Sequence, residues 1–204
     1  IVLNGENTLN CAIIDEDSDK IYKRCEGINV DGALTIGGGT LNATIVGNAI
    51  VANTLTIDNA TLNSNTTSVN IYLGGDAIIS NSKVFAKGGT PVIAIEPDDE
   101  LNITNSTVVI QSEDSDYGFI YKSAINIDEN SILEISVRNC AIGNTIAVSY
   151  SPNCSVFAGE SKETAQLVAE PYINSTFASK YLMIAPTSKV TVNYGTSELA
   201  NKEI

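Results

Sequence analysis

Short apolar and polar runs alternate along most of the chain, and the runs themselves repeat. A tripeptide with two apolar ends recurs as Leu34-Thr35-Ile36, Leu55-Thr56-Ile57, Ala77-Ile78-Ile79, Leu101-Asn102-Ile103 and Ile125-Asn126-Ile127, at steps of 21, 22, 24 and 24 residues. A second apolar column precedes it at Ile28, Ile50, Ile71, Ile93, Ile120 and Ile146. A third follows five residues after each central isoleucine, at Leu41, Leu62, Val84, Val108 and Ile132. Period-two alternation means strands, and three short strands per repeat cannot bury an inner face until successive repeats stack. The pattern therefore predicts an all-β solenoid, a single-stranded parallel β-helix of about six or seven coils over 1–158. Leucine-rich repeats would need an L-x-x-L-x-L consensus and propellers about 40 residues per blade, so neither fits.

Two residues after three of the central isoleucines stand Asn59, Asn81 and Asn105, where the chain must bend. Asparagine tolerates the left-handed backbone, and stacked amides can bond from coil to coil, so these three are expected to form a structural ladder. Gly38 holds the slot in the coil before and Glu129 in the coil after. Past residue 158 the period is lost, and "KYLMIAP" and "KVTVNYG" read as strands that cap the open end over 159–204. Only "ESKETAQLVAE" offers helix formers, and a strand at 166–169 competes there.

Composition supports strands over helices: Asn, Thr, Ser, Ile, Val and Ala are abundant, while Lys, Arg, Glu, Leu and Met are scarce. A formal charge of −13 repels nucleic acid and anionic membrane surfaces, so neither is an expected partner. No apolar run approaches the roughly 20 residues of a membrane span, and membrane insertion is not expected. The chain opens on Ile1 with no charged and apolar leader, as a mature or trimmed fragment would.

The repeated "LTI(x)NxTLN" coils, the opening "IVLNGENTLN" and the closing "SVFAGESKETAQLV...KYLMI" resemble the right-handed, pectate-lyase-like β-helix domains of bacterial surface proteins, in particular the clostridial cellulose-binding kind. The resemblance covers most of the chain. It implies a right-handed coil, a secreted or cell-surface location, adhesion to plant polysaccharides, calcium held by acidic loops, and no catalytic assignment.

The residues add four candidate features. Cys11 and Cys25 are 14 apart, as are Cys140 and Cys154, so local disulfides could staple the end coils; four free thiols are the alternative. Among the acid runs, "EPDDE" enlarges a corner and stacks near Asp76, so Asp76, Asp98, Asp99 and Glu100 could surround a calcium ion or could be a solvated loop. Tyr22, Tyr72 and Tyr121 each follow an apolar position read as inward, which turns their rings outward, where they could stack on sugar faces or be plain surface. The carboxylates Asp58 and Asp128 stand three coils apart, roughly 14 Å, too far for paired glycosidase acids, and there is no histidine to act as a base. A non-catalytic carbohydrate-binding module, assisted by calcium, is the favoured reading, and a stalk or adhesin spacer is the alternative.

Overall fold

The computed structural model describes residues 2–11, 25–89, 92–96, 98–120, 124–143, 147–168, 179–189, 191–192 and 202–203. Seventeen strands form one continuous hydrogen-bonded ladder that bends into the three faces of a parallel β-solenoid. Its complete coils run over 25–45, 47–66, 71–88, 93–111 and 117–136, five in all against the six or seven expected. The first two are the unbroken strands Cys25–Ile45 and Gly47–Thr66. Later coils divide into three, for example Ile71–Leu73, Ala77–Ser80 and Lys83–Gly88.

Parallel pairing sets like residues over like. On the second face Ile36, Ile57, Ile79, Ile103 and Ile127 stack in that order, each no more than 4% exposed, as the tripeptide spacing predicts. The other two columns each need a correction of one residue in the fifth coil. On the first face Ile93 pairs with Phe119 rather than Ile120, and Phe119 pairs with Ile142; Ile146, the residue expected there, lies outside the described residues. Apolar side chains occur on both sides of the Phe119-Ile120 step, so alternation alone does not choose between them. Phe119 goes inside at 1% exposure. Gly118, before it, admits this close packing because a Cβ there would lie 2.5 Å from the Ile135 side chain.

On the third face Val108 pairs with Leu133, and Ile132 pairs with the outward Thr107. The cause is the corner between Ile127 and Ser131, one residue longer than that between Ile103 and Ser106. The equivalence of these serines is fixed by hydrogen bonding: the backbone N–H of Ala60 donates to Ser82 Oγ, that of Ser82 to Ser106 Oγ and that of Ser106 to Ser131 Oγ, each at 3.1 Å. All three serines are buried. This inner serine ladder satisfies corner amides that the apolar interior could not.

The largest departure lies at the C-terminus. The strand Tyr181–Pro186 does not cover the open end. It inserts antiparallel between Ile132–Ser136 of the fifth coil and Cys154–Gly159 of a sixth turn, which comprises Cys140–Ile142, Ala147–Tyr150 and Cys154–Gly159 and is parted from the fifth on this face. Its alternation continues the core: Leu133 faces Ile184, which faces Val156, and Leu182 and Ile184 are fully buried. Within 159–204, the strand Tyr181–Pro186 is thus woven into the third face rather than laid over the end. Within "ESKETAQLVAE", Gln166–Leu167 is a strand pairing antiparallel with Cys154–Gly159. Of "KVTVNYG", the described part is Thr191–Val192, paired with Lys202–Glu203.

Because Ile79 is 1% exposed and sits between Ile57 and Ile103, Ile79→Asp should place an unpaired charge in the core and abolish cooperative folding of the middle coils. Ile79→Val should cost only about 0.5–1.5 kcal/mol. Thermal melting by circular dichroism checks both; a soluble Ile79→Asp variant with the parent's melting temperature would refute the stacking.

Candidate functional site

The outward row of the first face runs Val51, Tyr72 and Ala94, and backbone pairing puts Ile120 next in line. Tyr72 is half-buried and its hydroxyl donates to the Glu96 carboxylate. Ala94 beside it is 1% exposed despite its outward register. The row is therefore not an open aromatic platform at this point, and the shift at Phe119 gives its next place to Ile120 instead of Tyr121. Tyr22 and Tyr121 lie outside the described residues.

The enlarged corner is where the spacing puts it, opposite Gly74, Gly75 and Asp76. Asp76 is engaged with backbone there: its Oδ1 accepts the N–H of Glu100 at 2.8 Å. The Glu100 carboxylate in turn accepts from the Asn126 amide at 3.4 Å. Asp98 takes a left-handed backbone, φ 74°. The Asp99 carboxyl is pushed above the usual range, first by loss of water and then by the charges of Asp76, Asp98 and Glu96. Among the described residues no three His, Cys, Asp or Glu side chains are gathered as a metal centre requires.

Asn59, Asn81 and Asn105 have φ of 51°, 50° and 45°. The Asn105 amide donates to Asn81 Oδ1 at 2.9 Å, but the Asn81 amide donates to Asp58 Oδ1, at 3.2 Å, instead of to Asn59. Asp58 also accepts from Ser80 Oγ at 2.6 Å, and these two bonds hold its carboxyl below the ordinary 3.8. Asp128 accepts the backbone N–H groups of Asn105 and Asn130, both at 3.1 Å. Both carboxylates thus cap corners. Further amide rungs occur outside the predicted slot, Asn63 to Asn42 at 2.8 Å and Asn126 to Asn102 at 3.0 Å.

Cys140 and Cys154 are free thiols, which corrects the pairing considered for them. Cys140 lies on the first face opposite Tyr117, whereas Cys154 lies on the third, opposite Pro186 of the inserted strand. Partial burial, with Asp128 and Glu129 nearby, raises the Cys154 thiol. The side chains of Cys11 and Cys25 lie outside those described.

A feature that spacing alone did not single out is a groove of about 770 Å³ along the corner after the third face. It crosses four coils and so extends roughly 14 Å along the axis. Asn65, Lys87, Gln111 and Ser136, stacked in register and all exposed, form one wall. Glu113, Asp114 and Arg138 contribute charges, and Arg138 is paired with Asp116 at 2.8 Å. At Gly88, also in the lining, φ is 72° and a Cβ would lie 2.2 Å from the Thr66 carbonyl oxygen, so the backbone can turn there only without a side chain. The signal available in the sequence was the polar column at Asn65, Lys87 and Gln111, three residues beyond each third-face apolar position. Comparison with protein families, with curated proteins and with solved structures finds no match.

Iodoacetamide added under denaturing, non-reducing conditions should modify Cys140 and Cys154, as peptide mass mapping can show; a peptide pair linked through them would contradict the structure. For Asp58 the sign is set by its depressed folded value. The stabilisation it contributes is complete above 3.8 and is lost as pH falls through the lower folded value. Asp58→Asn should thus be less stable than the parent at neutral pH, with the difference shrinking in the acid range, as urea denaturation at a series of pH values can check.

Proposed function

We propose that the chain is a non-catalytic glycan-binding module of an exported bacterial surface protein, and that the corner groove is where the glycan lies. The observation that carries this reading is the lining: amide, hydroxyl, carboxylate, ammonium and guanidinium groups converge on one groove, as the donors and acceptors of a sugar chain require. Its axial course suits a polymer, because each coil presents another polar side chain at a regular spacing. Export and the bacterial surface are supported by the resemblance of the coils. Calcium enters only as an auxiliary at the Asp76, Asp98, Asp99 and Glu100 corner: the side chains are not gathered into a ligand set, and what supports a cation there is the negative charge around Asp99.

A structural spacer is the competing reading. It is favoured by the amide rungs Asn42–Asn63, Asn81–Asn105 and Asn102–Asn126, which spend side chains on stiffening the rod that a binding face would leave free.

A glycan array probed with and without calcium tests the proposal. The parent should bind a restricted set of glycans, and Gln111→Ala, which removes one groove amide, should weaken binding roughly tenfold or less, the worth of one hydrogen bond. Binding unchanged by chelator removes calcium from the reading, and a blank array in both conditions leaves the spacer.

A further inference from the structure

Beside the groove the strand Lys83–Gly88 turns Lys83, Phe85 and Lys87 to the outside, with Val84 and Ala86 buried between them. Phe85 is 41% exposed, the most exposed aromatic side chain among the described residues. An isolated exposed apolar residue would need no explanation, but three features set this one apart. It stands two residues from Lys87, a groove wall, and so roughly 7 Å from the lining along the strand. Its row neighbours are Asn63 on one side and Val109 on the other, neither bulky enough to bury the ring. Its ring is also an apolar surface bordered by hydrogen-bonding groups, which is what the C–H face of a sugar presents its complement to.

The local charges decide the class of sugar. Lys83, Lys87 and Arg138 are matched by Glu113, Asp114 and Asp116, three cations against three carboxylates, and Arg138 is already engaged with Asp116 at 2.8 Å. A polyanion would find no net local attraction here, and the chain's charge of −13 would repel it at longer range. A neutral chain escapes both penalties, since its hydroxyls can donate to carboxylates and accept from ammonium groups. Resting on the groove reading above, we infer that Phe85 is the stacking platform at the lip of the groove and that the site takes a neutral polysaccharide lying parallel to the solenoid axis.

The test is affinity electrophoresis of the whole chain through gels containing hydroxyethylcellulose, xyloglucan or galactomannan, with polygalacturonate as the anionic arm. Retardation is expected in at least one neutral polymer and not in polygalacturonate, and it should persist at high salt because no net ion pairing is involved. Phe85→Ala should weaken the retardation roughly three- to tenfold at an unchanged melting temperature, and Phe85→Tyr, which keeps the ring, should restore it. Retardation in polygalacturonate alone, or neutral binding indifferent to Phe85→Ala, overturns this inference and leaves glycan binding standing. A blank across this panel, with binding on the glycan array, likewise overturns only the neutral-platform inference, whereas a blank array overturns the groove reading as well.

Discussion

Everything in this molecule depends on the axial contact between like apolar side chains in successive coils. A single coil encloses too little to hold itself together, since each face is only a few residues wide and, as in Ala77–Ser80 and Lys83–Gly88, alternate residues turn outward. Stacking turns each inward isoleucine into a neighbour of two others, and five coils of such contacts make one dry column. The backbone ladder follows the same axis, so hydrogen bonding and apolar burial favour one register together. A slip by one residue would move every inward side chain to the outside.

That constraint explains what is left for function. The inside of the solenoid is filled by side chains, so binding can occur only on outward rows and at corners. Corners are also where backbone groups lack ladder partners, and this chain assigns Asp76, Asp128 and the buried serines to them, while Asp58 holds the corner side chains of Ser80 and Asn81. The acids that look available in the sequence are in large part occupied in this way. The exposed column at Asn65, Lys87 and Gln111 is free of that duty and borders open space.

The solenoid was legible in the chain because its signal is local and repeated. The second-face tripeptides and the asparagines with positive φ needed only spacing and alternation. The errors came where spacing changes. One extra residue between Ile127 and Ser131 moved the fifth coil from Ile132 to Leu133, and of two adjacent apolar residues spacing picks Ile120 for the inward column where the fold uses Phe119. The insertion of Tyr181–Pro186 had no local signature at all: any apolar alternating strand suits an open edge, and its place between coils depends on pairings tens of residues away. The groove was missed for a related reason. Its lining comes from four coils, and only the folded chain shows that the polar column borders a concavity.

Residue-resolved amide hydrogen exchange tests the stacked register and its inserted strand most directly. Protection should be greatest for the buried tripeptides of the middle coils, Leu55 to Ile57, Ala77 to Ile79 and Leu101 to Ile103, and the amides of Tyr181 to Ala185 should exchange as slowly as those of Ile132 to Ser136 between which and the sixth coil they lie. Fast exchange across 181–185 beside a protected 132–136, or protection that fails to peak in the middle coils, would contradict it.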